Sequence, residues 1–267
     1  MINLEKISGL PIELTDDFHL KFNEPLVQRE PSFIRKFKEA VPVLMDPKTL
    51  PPKEGLYFVY RGVAMPEDKD WIAANHLTYD ITILPPMMLG AEFNKTIGHY
   101  HANIPGSEIA HPEMYEILNG KATILMQKMD HGFKNLISIV YLEVEAGDKV
   151  IYPANYGHIL INTGTEPLVT ANWLSSDYKP LYDPVKEMHG MAYYLIADEN
   201  GQPKFVENGH YHDLPAPRET HSDYKILADF GFNLQEPMYL TARKNPKALE
   251  FLSNPEKYAV ELSAVSS

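Results

Sequence analysis

Apolar and polar side chains alternate in short runs between residues 55 and 178, and turn-forming residues separate these runs. Alternation with a period of two places successive side chains on opposite faces of a β-strand. Many short strands at this spacing are typical of a sandwich or a small barrel, so we predict an all-β domain. The predicted strands span residues 56–62, 77–84, 93–101, 113–118, 122–127, 136–144, 150–152, 158–162 and 168–174.

One turn inside this region has a strong sequence signal. Asn119-Gly120 lies between the predicted strands 113–118 and 122–127. Because Asn-Gly adopts the positive φ angles of a two-residue hairpin turn, we predict that these two strands pair with each other.

The segment before the predicted barrel has helical rather than alternating spacing. Residues 32–41 place Phe33 and Phe37 on one side, with Pro31 before the first turn and Pro42 as a stop. Proline is favoured in the first turn of a helix and disfavoured in its interior. We therefore predict a helix that packs on the outside of the barrel.

The pattern changes again after the last predicted barrel strand. Residues 193–196 and 204–206 flank a turn and predict a hairpin, and residues 245–264 predict one or two helices. We therefore predict three segments: an N-terminal helical leader (1–50), a barrel (51–182) and a C-terminal hairpin-plus-helix extension (183–267).

Composition and charge narrow the classes of partner. The chain has 267 residues, a hydrophobic content of 44% and a formal net charge of −12, which argues against nucleic acid or an anionic membrane as a partner. It lacks cysteine and any run of about 18 apolar residues, and its N-terminus lacks the pattern of a signal peptide. We expect a cytoplasmic protein that binds any anionic substrate through local donors.

Two histidines in one predicted strand are the first candidate chemistry. His99 and His101 are two positions apart, so a strand would point both imidazoles to the same face. Glu113 and His158 follow later in the chain. Three imidazoles and one carboxylate suit Fe, Mn, Ni or Zn, whereas Mg and Ca prefer oxygen ligands. A single His-x-His pair is common by chance, so the surrounding motifs determine whether this pair indicates a metal site.

Those motifs resemble the cupin family. The first half is Gly98-His99-x-His101 followed by Glu113-x6-Gly120, and the second half is Gly147-x5-Pro153 followed by His158-x3-Asn162. The resemblance implies a jelly-roll β-barrel with a metal in its interior. Asn155 stands where the second motif usually has glycine, and asparagine is the next best residue for a left-handed turn.

A longer pattern resembles one branch of that family, the cupin-type or archaeal-type glucose-6-phosphate isomerases. It reads Pro86-x3-Gly90-x-Glu92-x3-Thr96-x-Gly98-His99-x-His101-x11-Glu113-x-Tyr115-x2-Leu118-x-Gly120, with Thr82 four residues before it. The resemblance covers roughly residues 55–178. It implies an aldose–ketose isomerase of glycolysis and gluconeogenesis, with one divalent transition metal per subunit, iron first, and a homodimer.

The resemblance also implies a role for individual residues. The metal ligands would be His99, His101, Glu113 and His158. The substrate-binding residues would be Tyr57, Thr82, Thr96 and Gly98, of which the last three would surround the phosphate. The catalytic residues would be Glu113 and Tyr115.

Two chemical routes fit these residues. In one, Glu113 removes a proton from the sugar carbon and an enediol forms. In the other, the hydrogen moves as a hydride between C1 and C2 while a metal polarises both oxygens. The sequence leaves both routes open.

The sequence departs from the family pattern at two places. Leu174 stands where the family usually has a tyrosine, and Tyr178 or Tyr182 are the candidates to replace its phosphate contact. The loop at 102–112 is long and contains Glu108, a second candidate carboxylate, but the Glu-x-Tyr-x2-Leu-x-Gly motif begins at Glu113. Ordinary surface or packing roles are the simpler reading of the other eight histidines.

Two other classes of function fit the same motifs. The chain would then be a non-catalytic sugar-phosphate-binding cupin, or another cupin enzyme such as a phosphomannose isomerase or an iron dioxygenase. Thr82 together with Thr96-x-Gly98 argues against a dioxygenase, because a dioxygenase needs no phosphate cradle.

Overall fold

Two sheets enclose the main hydrophobic core in the computed structural model, which describes residues 1–23, 26, 30–52 and 55–264. Their strands are antiparallel except for one parallel pair at the edge of the smaller sheet. The larger sheet has six strands and the smaller has four. The strands around the core are β5 (Tyr57–Tyr60), β6 (Leu77–Leu84), β7 (Met88–Leu89), β8 (Glu92–Phe93), β9 (Tyr100–His101), β10 (Glu113–Asn119), β11 (Lys121–Met129), β12 (Leu136–Glu145), β13 (Lys149–Tyr152), β14 (Tyr156–Asn162), β15 (Leu168–Ser175) and β16 (Pro180–Leu181).

The N-terminal segment contains more strand than helix. Its elements are β1 (Ile2–Asn3), α1 (Glu5–Ser8), β2 (Ile12–Leu14), β3 (Leu20–Phe22), β4 (Phe33–Arg35), α2 (Phe37–Ala40) and a 3-10 helix (Val41–Val43). The predicted helix over 32–41 is therefore wrong in its first half. Phe33–Arg35 pair with Tyr57–Val59 at the edge of the large sheet, and this long-range pairing outweighs the local helical spacing.

The C-terminal segment contains the predicted hairpin and several helices. Its elements are α4 (Asp183–Glu187), β17 (Tyr193–Ala197), β18 (Pro203–Glu207), β19 (Arg218–Glu219), α5 (Tyr224–Asp229), α6 (Met238–Lys244), a 3-10 helix (Pro246–Leu249), α7 (Glu250–Ser253), a 3-10 helix (Pro255–Tyr258) and α8 (Ala259–Ala264). The hairpin and the late helices are confirmed. The sequence patterns missed α5 and α6, and also α3 (Lys69–Ala74) between β5 and β6.

The strand order is that of a jelly roll. The large sheet runs β13-β10-β15-β6-β5-β4, and the small sheet runs β14-β11-β12-β19. Consecutive strands β10 and β11 lie in different sheets, so the predicted hairpin at Asn119-Gly120 is wrong as a pairing. Gly120 does adopt φ +83°, and an added Cβ would lie 2.9 Å from the Pro167 carbonyl oxygen. The turn therefore carries the chain from the large sheet to the small sheet. The strand order confirms the all-β cupin class.

The large sheet is buried on both faces. Tyr57 and Val59 face the core between the two sheets, whereas Phe58 and Tyr60 face a second core. The leader and the C-terminal helices complete this second core, with Leu10 and Phe251 as examples. Both segments therefore cover the back of the sheet whose front carries the candidate site. Among the described residues, none of the helices has the length and apolar content that crossing a bilayer requires.

A buried ion pair ties the C-terminal helices to the large sheet. Lys149 Nζ lies 2.8 Å from Glu116 Oε1, and the two side chains are only 4% and 2% exposed. Glu116 Oε2 also accepts a hydrogen bond of 2.9 Å from the Met238 N–H at the start of α6. The pair thus links β10, β13 and α6.

We predict that Lys149→Met destabilises the fold by about 3–5 kcal/mol, because it leaves the Glu116 carboxylate buried without a counter-charge. The measurement is the free energy of unfolding in urea. The double variant Glu116→Gln/Lys149→Met keeps an acceptor for Met238 N–H and removes both charges, so it should recover most of the loss. Equal losses in the single and double variants would contradict this account.

Candidate active site

Four side chains converge in the cleft between the two sheets. One ligand atom from each of His99, His101, Glu113 and His158 lies within 4.8 Å of the other three. His101 Nε2 is 3.2 Å from His99 Nε2 and 3.3 Å from Glu113 Oε1. The structure therefore brings together all four residues that the sequence motifs single out.

Backbone pairing fixes the positions of these four residues. Glu113 opens β10, and His101 ends β9. His99 lies just before β9 and exchanges two backbone hydrogen bonds with His158 of β14, at 3.3 and 3.1 Å. The predicted continuous strand over 93–101 is wrong, because the chain is irregular between β8 and β9, but His99 and His101 still share one face.

Hydrogen bonds at Nδ1 of His101 and His158 determine which ring nitrogens face the cleft. His101 Nδ1 donates to the His111 carbonyl oxygen at 2.7 Å, and His158 Nδ1 donates to the Tyr156 carbonyl oxygen at 3.4 Å. A ring nitrogen that contacts a carbonyl oxygen must carry the proton. In the neutral form of each ring, Nε2 then presents a lone pair to the cluster, as metal-binding histidines require.

The cluster contains buried polar atoms that lack a protein partner. Among the described residues, Glu113 Oε2 and His158 Nε2 are fully buried and accept or donate no hydrogen bond. These two atoms lie 3.6 Å apart. Leaving buried polar atoms unpaired is costly unless another group completes their coordination. A divalent first-row transition metal fits this set of nitrogen and oxygen donors.

The protonation states also suit a cation. Burial lowers the pKa of His158 to about 4, and burial together with the neighbouring His158 and His101 lowers the pKa of His99 well below its usual range. Burial alone would raise the pKa of Glu113, but the three histidines outweigh it and hold that pKa at about 2. At neutral pH His99 and His158 are therefore neutral and Glu113 is a carboxylate, which are the forms that bind metals.

Glu108, the competing carboxylate, lies outside the cluster. Its side chain is exposed, and its backbone carbonyl accepts a hydrogen bond of 2.9 Å from Asn155 Nδ2. Asn155 Oδ1 in turn accepts from Ala110 N–H at 2.8 Å. Asn155 has φ +65°, so the predicted left-handed turn is confirmed. Its amide fastens the 102–112 loop, which a glycine at this position would be unable to do.

The expected substrate residues line the same pocket as the cluster. Tyr57, Thr82, Thr96, Gly98 and Tyr115 all lie on its wall, beside His99, Glu113 and His158. Gly98 has φ +80°, and an added Cβ would lie 2.2 Å from Ile159 Cγ2. Any other residue at 98 would therefore clash with β14, so this position requires glycine. The glycine backbone itself lines the pocket.

Arg35, which has no recognisable motif around it in the sequence, lies behind Tyr57 of the pocket wall. Arg35 Nε donates to the Tyr57 hydroxyl at 3.0 Å, and that hydroxyl also accepts from the Ile97 N–H at 3.5 Å. The Arg35 side chain is 15% exposed, and its Cζ lies 5.6 Å from the ring centre of Tyr182. The wrong helix prediction over 32–41 hid this residue, because only strand pairing turns Arg35 towards the pocket.

An ion pair that lines the pocket lies beside the same sheet as Arg35. Arg61 Nη1 contacts Asp80 Oδ2 at 3.1 Å, and Asp80 Oδ1 accepts from Gly62 N–H at 2.9 Å and from Thr78 Oγ1 at 2.8 Å. Burial raises the pKa of Asp80, although Arg61 opposes the rise. Asp80 is two residues before Thr82 in β6, so strand periodicity was the signal that places it on the same wall.

The two tyrosines proposed to replace the family tyrosine both lie beside the histidine–glutamate cluster. Leu174 is buried and pairs across the sheet with Glu113. The ring of Tyr178 lies 5.0 Å from the ring of His101, and the ring of Tyr182 lies 5.3 Å from that of His99. Both tyrosines line the pocket. Asp177, the neighbour of Tyr178, instead contacts His76 Nδ1 at 3.0 Å on the surface.

Further pocket residues had no motif around them. Tyr152 stacks on Tyr115 with ring centres 4.4 Å apart, and its ring lies 4.5 Å from His158. Asn172 of β15 pairs with Asp80 of β6 and also lines the pocket. Without the sheet order, both would be read as ordinary strand residues.

A family profile and the sequence relatives indicate the same family. The family profile described as "Glucose-6-phosphate isomerase (GPI)" matches residues 34–216. Among structures, vicilin from hazelnut has 10% identity and a TM-score of 0.35 over 47% of this chain and 32% of its own, so the fold assignment depends on the strand order described above.

Three archaeal relatives share the same description. "Glucose-6-phosphate isomerase" of Thermococcus onnurineus is 32% identical over 53% of this chain and 66% of its own length. The Thermococcus gammatolerans protein of that name is 33% identical over 49% of this chain and 63% of its own. The Pyrococcus abyssi protein is 29% identical over 70% of this chain and 92% of its own. The chain thus spans just under two thirds of the first two relatives and most of the third.

The family match begins at β4 and extends past the hairpin of β17 and β18, well beyond the 55–178 stretch that carries the sequence motifs. It covers more than half of the chain and includes all four residues of the histidine–glutamate cluster. On these grounds the chain belongs to the glucose-6-phosphate isomerase family, in its cupin form.

Proposed function

We propose that this chain is a metal-dependent aldose–ketose isomerase that interconverts glucose 6-phosphate and fructose 6-phosphate. The observation that carries this proposal is the convergence of His99, His101, Glu113 and His158 in a pocket whose other wall is lined with hydroxyl and backbone donors. The family match supplies the substrate class. The expected homodimer, and iron as the metal, stay predictions.

The phosphate would bind at the end of the pocket formed by Thr82, Thr96 and Gly98. Two hydroxyls and an open backbone suit phosphate oxygens. Thr96 Oγ1 accepts a hydrogen bond of 3.1 Å from Leu160 N–H, so its own hydrogen can point to a ligand. Arg35, held behind Tyr57, would supply the positive charge that an acidic chain must provide locally.

The sugar end would lie against the metal cluster. A bound divalent metal would act as a Lewis acid on the sugar oxygens at C1 and C2. Burial and the negative charge of Glu113 raise the pKa of Tyr115 well above its usual range. Tyr115 therefore keeps its proton at neutral pH and can donate a hydrogen bond to a sugar hydroxyl.

Glu113 is the carboxylate that would take a proton from C2 of glucose 6-phosphate and return it to C1. Asp80 is less suited, because both of its oxygens already bind protein donors. A lowered pKa keeps Glu113 ionised at neutral pH, so that it can bind a metal or accept a proton. In the hydride route, hydrogen from solvent would not enter the sugar carbon and Glu113 would serve only as a ligand.

Metal removal gives the first test. We predict that a chelator abolishes conversion of fructose 6-phosphate, because the three imidazoles and Glu113 then have no ion to hold, and that Fe²⁺ or Mn²⁺ restores it. The measurement is a coupled dehydrogenase assay for glucose 6-phosphate, with mannose 6-phosphate tested in parallel. Binding of sugar phosphate without turnover in the metal-loaded protein would favour the non-catalytic sugar-phosphate-binding cupin. Faster conversion of mannose 6-phosphate would favour a phosphomannose isomerase.

The two candidate carboxylates give the second test. We predict that Glu113→Ala lowers kcat by at least about 100-fold with a much smaller effect on KM, because the side chain contacts the reacting centre rather than the phosphate. Glu108→Ala is the matched control and should retain near-normal kcat. The reverse outcome, with collapse in Glu108→Ala alone, would overturn the assignment of Glu113.

The proposed role of Arg35 gives the third test. We predict that Arg35→Met raises KM for fructose 6-phosphate by about 10-fold or more, as expected for the loss of a charged hydrogen-bonding partner, while kcat changes little. Lys225→Met is the control, because Lys225 pairs with Asp229 on the surface and both side chains are exposed. The measurement is the KM and kcat of both variants for fructose 6-phosphate from steady-state kinetics. An unchanged KM in Arg35→Met would remove Arg35 from the phosphate site.

A further inference from the structure

The geometry points to a second role for the C-terminal extension: through His111, helix α7 holds the metal ligand His101 in its binding orientation. His111 is then a positioning residue, since it contacts a proposed ligand and not the substrate. This inference depends on the metal centre of the proposed function. It concerns a helix that lies beyond residue 216, where the family match ends.

Two short hydrogen bonds in series connect the ligand to the helix. His101 Nδ1 donates to the His111 carbonyl oxygen at 2.7 Å, and His111 Nδ1 donates to the Leu252 carbonyl oxygen at 2.8 Å. His101 and His111 are 7% and 8% exposed, and Leu252 is fully buried. Because water has little access to them, these bonds are stronger and more directional than surface bonds.

The first bond controls how His101 meets the cluster. The proton on Nδ1 fixes the tautomer, and the direction of the carbonyl fixes the rotation of the ring. Both depend on where the His111 backbone lies. His111 is near the end of the long 102–112 loop, which joins two of the four cluster residues, His101 and Glu113. Any drift of this loop would therefore move the acceptor that orients His101.

The second bond provides the anchor. Leu252 lies in the last turn of α7, where helix carbonyls have no partner within the helix. Its neighbour Phe251 is 1% exposed and stacks on Phe230 of the same extension, with ring centres 4.5 Å apart. The acceptor thus belongs to a helix that is packed into the second core. Asn155 fastens the loop at Glu108 and Ala110, whereas the anchor from α7 acts on His111, the residue whose carbonyl oxygen orients His101.

The test compares Co²⁺ affinity and the visible absorption spectrum of bound Co²⁺ in full-length variants. We expect His111→Phe to weaken Co²⁺ binding by about 10-fold or more and to change the spectrum, as outer partners of metal ligands do. His111→Asn places an amide N–H near the position of Nδ1 and should restore affinity to within a few-fold of the unmutated chain.

A matched control separates positioning from general stability. Tyr239→Phe removes another buried bond between the extension and the rest of the chain, 2.8 Å long from the Tyr239 hydroxyl to Asp68 Oδ2, that touches no proposed ligand. It should lower the melting temperature and leave Co²⁺ affinity and spectrum unchanged. Equal Co²⁺ affinity in His111→Phe and the unmutated chain would overturn the inference. Absence of Co²⁺ binding by the unmutated chain would instead overturn the metal centre of the proposed function.

A measurement on the unmutated chain covers the case in which His111→Phe does not fold. Nitrogen-15 NMR of the imidazole rings in the metal-free protein reports which ring nitrogen holds each proton. We expect both His101 and His111 to be protonated on Nδ1. A proton on Nε2 of either ring, with Nδ1 unprotonated, would break the series of hydrogen bonds and contradict the inference.

Discussion

The constraint on which this structure depends is the convergence of three imidazoles and one carboxylate at a single point between the two sheets. Such a group is costly to bury, because polar atoms lose water and the lone pairs of neighbouring rings repel. The fold maintains it by placing each residue in a rigid backbone position. His99 and His158 share two backbone hydrogen bonds, and Glu113 lies between β13 and β15 in the large sheet. The proposed metal would supply the electrostatic term that makes this burial favourable.

The large sheet has to be rigid for that convergence to hold. The leader and the extension contribute to this rigidity because they cover the second face of the sheet. Burial of one face already fixes the register of a strand, and the strands here are buried on both faces. The Glu116–Lys149 pair and the bond from His111 to Leu252 attach the C-terminal helices at two separate points. The flanking segments are thus part of the support of the site.

The predictable part of this protein lies in its local motifs. His99-x-His101, Glu113 and His158 are recognisable because metal geometry fixes residue type and spacing, and the left-handed turn at Asn155 follows from backbone sterics. The pairing of strands at Asn119-Gly120 was misjudged, because a tight turn has the same local signal whether it closes a hairpin or crosses between sheets. Arg35 was missed for a related reason: its strand exists only through pairing with β5.

The most direct test of the central claim is anomalous diffraction from crystals of the chain, recorded at the absorption edge of the metal that co-purifies with it. The account predicts one peak per chain, within about 2.0–2.3 Å of Nε2 of His101 and His158, a ring nitrogen of His99 and an oxygen of Glu113. A peak bound by other residues, or metal-replete crystals with no peak between these four side chains, would contradict it.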